Sequence, residues 1–357
     1  MSHVRPLVVR CGAFGDMVIV LSLVAALSRR FATPVDVLTS GSWSLPLLEG
    51  QPGVGRVYVV GSRRTPFLLD PLQRKVSHAL RENGPQPVWV CDTNAWPRSF
   101  LGRAGLPRNH LLFAASDCPI LPGEHHVDRW LRFANHTPAA FDAEKLDETT
   151  LAQWRTPPLN VLPAWRRDLQ DWISRRGLGD GRPVLVQVGN KRTMRWWAPR
   201  QRETNTKDWP VVRWAEVIQR LLDEDAARHV VLLGVPAEAA VNEEIRQAVS
   251  SPRVYNAASE LPVPRLLALQ SVASGMISVD TGPAHSAAAL GCPLVVLFGD
   301  AKVERYAPRS PTGQVQVQVL QGPAEAAPRI EAITSAQVIA AWQALARPPP
   351  PSLVAPQ

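Results

Sequence analysis

The sequence predicts an α/β protein made of two parallel sheets, each covered by helices. Three observations carry this. Short runs that are apolar on both faces, such as "PLVVR", "PVDVLT", "HVVLLG" and "PLVVLFG", alternate with segments whose apolar residues recur at helical spacing. The alternation breaks once, from about Asn135 to Pro163, in a stretch rich in Pro, Thr and polar residues, and then resumes. The chain has 357 residues, more than one ordinary core organises and suited to two domains.

The elements follow in order. "PLVVR" reads as a strand, "CGAFGD" as a glycine turn and "MVIVLSLVAALSRRF" as a helix. "PVDVLT", "VGRVYVV", "PVWVCDT" and "HLLFAA" read as further strands, with helices or loops between them. These make a first domain over 1–160. After the break, "AWRRDLQDWISRRG" is a helix ending at Gly177. "RPVLVQVG" is a strand, and "WPVVRWAEVIQRLLDE" is an amphipathic helix with Pro210 near its first turn. Strand and helix then alternate through "HVVLLG", "PAEAAVNEEIRQAV", "RVYNAA", "PVPRLLALQSVA", "GMISVD", "GPAHSAAALG" and "PLVVLFG". "QVQVQVL" and a last helix, "SAQVIAAWQALA", complete a second domain over 161–346, and that helix is free to pack back on the first domain. The tail 347–357 is Pro-rich and expected to be disordered. Ligands of parallel sheets sit at the carboxyl ends of strands, so two such domains, each with a glycine turn, place a cleft between them.

Apolar residues make up 45% and charged residues 20%, a globular composition. No apolar run approaches the ~20 residues of a membrane span, and the amino-terminal run is too short for a signal-peptide core. The expected location is cytoplasmic. The net charge of +8 favours polyanions, whether nucleic acid, anionic lipid headgroups or phosphorylated glycans. Cys11, Cys91, Cys118 and Cys292 form no C-x-x-C pair and read as small buried thiols.

Two turns carry the chemistry. In "RCGAFGDMVIV", Gly12 and Gly15 permit a tight turn or close approach to a ligand, and Asp16 falls where the first helix begins. Asp there either caps the helix or faces a substrate. The spacing is G-x-x-G, not a dinucleotide fingerprint, and no P-loop Lys follows. In "SVDTGPAHSAAALG", Thr281 and Gly282 open a helix with Pro283 in its first turn, so free amides and a hydroxyl can meet a phosphate. Asp280 suits a sugar hydroxyl or a capping role, and His285 lies one turn into the helix. Lys207, in "TNTKDWP", can reach the same phosphates. Glu238, four residues after a strand-end glycine, either binds ribose hydroxyls or favours a helix start. "EHHVD" at 124–128 is a poor metal set, because adjacent His residues do not share a helix face.

The order G-x-x-G-D, K-x-W-P, G-x-x-x-E and "DTGPAHSAAALGCPLVVLFG" resembles glycosyltransferase family 9, whose best-known members are ADP-heptose–lipopolysaccharide heptosyltransferases. "HHVDRWLRFA" is similar to the family's helix near the end of the first domain, and the resemblance spans about Val8 to Pro308. It implies a GT-B fold, two Rossmann-like domains facing a central cleft, with acceptor on the first and nucleotide-sugar on the second. It implies inverting transfer without a metal or other cofactor. Asp16 then matches the catalytic base, Lys207 and Thr281–Gly282 the diphosphate contacts, Glu238 a nucleoside contact, and Asp280 and His285 donor-site positions. The implied partners are a nucleotide-diphosphate sugar, expected to be an ADP-linked heptose, a glycan or glycolipid acceptor such as lipopolysaccharide core, and the anionic inner-leaflet surface, with peripheral attachment there and no nucleic acid.

Asp300 and Ala301 stand where the family often has Pro-Thr, and the stretch before Lys207 is unusually basic, with Arg192 and Arg195 beside Trp196 and Trp197. Those arginines are read as phosphate or acceptor contacts. The competing readings are a non-catalytic sugar-nucleotide or glycan-binding relative, against which Asp16 argues, and a nucleic-acid-binding protein, against which the lack of a recognisable module argues. A nicotinamide-dependent oxidoreductase lacks its G-x-G-x-x-G.

Overall fold

The computed structural model describes residues 4–178, 182–190, 207–311, 317–323 and 329–345. Arg192 and Arg195 lie outside the described residues. The chain divides into two compact units, Met1–Asn160 and Val161–Gln357.

The first unit runs β1 (Leu7–Val9), α1 (Phe14–Phe31), β2 (Val35–Ser40), α2 (Ser44–Leu48), β3 (Val54–Val60), α3 (Pro71–Glu82), β4 (Val88–Val90), α4 (Trp96–Arg103), β5 (Leu111–Phe113), α5 (Ala114–Asp117), α6 (His126–Ala134) and α7 (Glu148–Ala152). Its strands form a parallel five-stranded sheet in the order β3-β2-β1-β4-β5. The central strands β1 and β4 are buried throughout, whereas the edge strand β3 is half exposed. That is why the central runs read as continuously apolar. Where the sequence extended the fifth strand through "HLLFAA", Ala114 already opens α5, because Asp117 turns back to accept the Phe113 amide at 2.6 Å.

The polar stretch after α6 is firmly held. Arg30, at the end of α1, donates to the carbonyls of Ala134, His136, Ala143 and Glu144 and to Thr137 Oγ1, at 2.6–3.0 Å. Asn160 is paired both ways with Gln51, at 2.7 and 3.1 Å. Residues 135–160 are therefore part of the first unit's packing.

The second unit runs α8 (Pro163–Arg176), β6 (Val184–Gln187), α9 (Val211–Glu224), β7 (Val230–Leu233), α10 (Ala239–Val249), β8 (Val254–Asn256), α11 (Val263–Val272), β9 (Gly275–Val279), α12 (Gly282–Ala289), β10 (Leu294–Phe298), α13 (Val303–Tyr306), β11 (Val317–Gln321) and α14 (Ser335–Gln343). The sheet order is β11-β10-β9-β6-β7-β8, all parallel. Gly177 ends α8 in the left-handed region (φ 62°), as its position predicts. Two buried apolar clusters cover the two faces of this sheet.

The last helix packs within its own unit, against α9, β10 and β11. Gly275 makes room for it: a Cβ there would lie 2.7 Å from the Trp342 ring. No helix among the described residues is long and apolar enough to cross a membrane. All four cysteines are free and buried.

Candidate active site

Both sheets change direction at one point. In the first unit the chain leaves β1 for β2 and β3, then returns to the other side of β1 as β4; in the second it does the same around β6 and β9. Such switch points are where open parallel sheets bind ligands. In each unit a cation meets a carboxylate there.

In the first unit, Arg10 follows β1. Its guanidinium pairs with Asp16 at 2.7 Å and with Asp92, just past β4, at 3.3 Å, and it donates to the Cys91 carbonyl at 3.1 Å. Asp92 is buried and also accepts the Cys11 amide at 2.8 Å. Burial alone would lower the Arg10 pKa, but Asp16, Cys91 and Asp92 outweigh it and hold the guanidinium above its ordinary value. Burial, reinforced by Asp92, pushes the Cys11 thiol up to about 12, so it is no nucleophile at neutral pH.

Asp16 sits in the first turn of α1 and accepts the Ala13 amide at 2.8 Å. Ala13 has no acceptor to return, so only half of a capping box is made. The Asp16 side chain keeps 36% exposure, which leaves the carboxylate oriented by Arg10 yet open to a solute. Gly12 is required by this packing: a Cβ would lie 2.5 Å from Asp16 Cβ and 2.9 Å from Arg10 Nε. Gly12→Ala is expected to displace both side chains and cost about 1–3 kcal/mol of stability. Thermal denaturation checks this, and an unchanged melting temperature would contradict it. Gly15 is buried within the same first turn of α1.

In the second unit, Lys207 Nζ donates to the Asp280 carbonyl at 3.0 Å and pairs with the Asp280 carboxylate. Trp209 follows two residues later. It is buried, its Nε1 donates to the Ile333 carbonyl at 2.9 Å, and its ring meets Trp214 edge-on at 4.8 Å. Pro210 then starts α9. Asp280 continues β9, its amide bonded to Leu297 at 2.9 Å. Thr281 is the N-cap of α12 without a side-chain capping bond, and Gly282 opens the helix. The helix is locked from behind: buried Gln270 donates to the Pro283 carbonyl at 2.8 Å and accepts from Ser286 at 2.7 Å. Lys207, Asp280, Thr281 and Gly282 are thus brought together. His285 is buried one turn further along α12.

Glu238 sits at the neighbouring strand ends. It is buried, accepts the Val235 amide at 3.0 Å, and lies against both strand-end glycines: a Cβ on Gly189 would stand 2.1 Å from its carboxylate, and one on Gly234 2.9 Å. Gln187, the last residue of β6, donates to it at 3.4 Å. Asn190, three residues on, donates to the Lys207 carbonyl at 3.3 Å. The end of β6 therefore joins the Glu238 and Lys207 clusters.

Sequence reasoning missed Arg10 and Asp92. One signal was available: "CDT" after β4 parallels "VDT" after β9, and in both units the Asp of the Asp-Thr pair takes the cation. Asp300 is exposed just past β10, in a turn held by Gln321, which donates to the carbonyls of Gly299 and Ala301. The "EHHVD" residues have structural partners. Glu124 takes Arg132 at 2.8 Å, and His125 Nδ1 caps α6 by accepting the Val127 amide at 3.1 Å.

Comparison with known proteins agrees with this architecture. The chain is 24% identical over 318 residues to lipopolysaccharide heptosyltransferase 2 of Escherichia coli (strain K12), covering 84% of each chain. Its structure is similar to that of E. coli ADP-heptose lipopolysaccharide heptosyltransferase II (TM-score 0.72, 22% identity, 95% of this chain and 98% of that one). It is also similar to E. coli heptosyltransferase WaaC with ADP (TM-score 0.67, 15% identity, 95% and 99%). The two parallel α/β units are those of the GT-B fold class. The model of glycosyltransferase family 9 (heptosyltransferase) matches residues 103–339, and the chain belongs to that family of glycosyltransferases.

Proposed function

We propose that the protein transfers a heptosyl group, with inversion and without a metal, from an ADP-linked donor to the glycan of a lipopolysaccharide-type acceptor. The work is done at the cytoplasmic face of the membrane that displays that acceptor. The observation that carries this reading is the Lys207–Asp280 pair beside the Thr281–Gly282 helix start. It puts a fixed cation and helix amides at the switch point where a nucleotide diphosphate fits. The names of the similar heptosyltransferases supply the sugar, the nucleobase and the acceptor class.

In this reading the acceptor hydroxyl attacks the anomeric carbon as the bond to the diphosphate oxygen breaks, and Asp16 takes the hydroxyl proton. Asp16 accepts the proton late, once the attacking oxygen has become acidic. The diphosphate leaves with added negative charge, which Lys207 and the α12 amides stabilise without reorganising. Glu238 holds the strand-end turns against which the nucleoside lies, and Asp280 and His285 line the sugar side. Arg10 and Asp92 orient Asp16.

A donor screen tests the reading. Thermal shifts with ADP-, GDP- and UDP-sugars are expected to single out the ADP series. Transfer of heptose is expected to persist in EDTA. A shift confined to another nucleoside diphosphate, or transfer abolished by EDTA and restored by a divalent cation, would overturn the corresponding part.

A further inference from the structure

Beside the Asp16 turn, the first unit holds a pair of half-buried aromatic rings. Phe14 is the first residue of α1, two before Asp16, and Trp43 is the N-cap of α2, in the connection that leaves β2. Their ring centroids lie 5.7 Å apart and their planes are tilted by 37°. β2 pairs with β1 in the sheet, so both connections leave the same carboxyl edge side by side.

Local contacts hold the Trp43 turn against the Asp16 turn. Thr39 Oγ1 donates to the sulfur of Met17, the residue after Asp16, at 3.7 Å. The Ser40 side chain lies by the Cys11 thiol, on the other side of Asp16. Buried Ser44 closes the Trp43 turn, its amide and hydroxyl donating to the Gly41 carbonyl at 3.1 and 2.5 Å. Gly41 has a φ of 91°, which favours glycine, and a Cβ there would stand 2.7 Å from Trp43 Nε1. The indole therefore rests directly on the backbone of its own turn.

Trp43 differs from tryptophans of the core. The indole N–H groups of buried Trp89, Trp172 and Trp209 each donate to a protein oxygen, at 3.1, 2.8 and 2.9 Å. Trp43 is half exposed, and its N–H donates to no oxygen among the described residues. A flat ring with a spare edge donor suits a saccharide. One face of a sugar ring is a patch of C–H groups made electropositive by neighbouring oxygens, and it lies well on the electron-rich face of an indole. Hydroxyls at the sugar's rim can accept the N–H. A nucleobase also stacks on aromatic rings, but the proposed nucleoside position is at Glu238 of the second unit.

We infer that Phe14 and Trp43 form the platform on which the reacting sugar of the acceptor stacks, with one of its hydroxyls held toward Asp16. The inference rests on the proposed glycan acceptor and adds which residues of this chain select it. Trp43 acts on binding and orientation, while proton removal stays with Asp16.

The test is transfer to a deacylated lipopolysaccharide core oligosaccharide, with donor and acceptor each varied. Trp43→Leu keeps apolar bulk and removes the flat face. It is expected to raise the oligosaccharide's KM about tenfold, with the donor's KM within about twofold of wild type and the melting temperature kept. Trp43→Phe restores a ring and is expected to recover most of the loss, which bulk alone would not explain. Phe14→Leu removes the other ring, is expected to raise the acceptor's KM in the same way, and decides the matter if Trp43→Leu does not fold. An unchanged acceptor KM in the leucine variants, an equal rise in the KM of both substrates, or a Trp43→Phe variant no better than Trp43→Leu would overturn the inference. Wild-type protein that transfers sugar to no glycan would instead remove the acceptor reading on which the platform rests.

Discussion

Asp16→Asn lowers kcat for sugar transfer by about 10²–10⁴-fold, the usual worth of a general base, while the protein stays folded. The asparagine keeps an oxygen for the Ala13 amide, so the helix start survives, and Arg10 retains Asp92 and the Cys91 carbonyl. What is lost is the charge and the capacity to take a proton. Asp16→Ala should cost as much in rate and, by removing the cap acceptor, about 0.5–2 kcal/mol more in stability. The two variants together separate chemistry from structure. Steady-state transfer with saturating donor, alongside thermal denaturation, is the check. Wild-type kcat in the asparagine variant would remove Asp16 as the base.

Lys207→Ala is expected to lower kcat/KM for the donor by about 10²–10³-fold, the range for losing one preorganised group aimed at developing charge. A structural penalty accompanies it, because Asp280 is nearly buried and loses its cation. Lys207→Ala with Asp280→Asn removes that second effect. If the lysine served only to neutralise Asp280, the double variant would regain the lost rate. If it stabilises the leaving diphosphate, the double variant regains melting temperature and remains slow. Kinetics and denaturation on the pair of variants decide between these outcomes.

The fold was legible because its periodicity is local. The strands of both sheets and the helices of the second unit, the short α13 apart, fall on the runs that their apolar spacing marks, and Gly177 stops α8 where a left-handed cap is needed. The two strand-turn-helix mouths at Asp16 and Thr281 were equally visible, since glycine, an acidic residue and an N-cap occur within a few residues. What the sequence hides is pairing across the sheet. Arg10 meets Asp92 from 82 residues away, and Lys207 meets Asp280 from 73. Neither is readable until the strand order places β4 beside β1 and β9 beside β6. Glu238 is intermediate: four-residue spacing from Gly234 marks the turn, but not that Gly189, on another strand, closes over the carboxylate. The polar stretch 135–160 reads as a connector by composition and is anchored by one residue, Arg30, whose role no local pattern announces.

In the proposed mechanism, proton removal falls to Asp16 of the first unit and diphosphate stabilisation to Lys207 of the second. Calorimetric titration of ADP into the wild type, Asp16→Asn and Lys207→Ala measures that division most directly. The predicted result is an affinity within about twofold of wild type for Asp16→Asn, and one weaker by about 10–100-fold for Lys207→Ala, the worth of a charge-assisted contact. Equal affinity in wild type and Lys207→Ala, or a loss confined to Asp16→Asn, would contradict it.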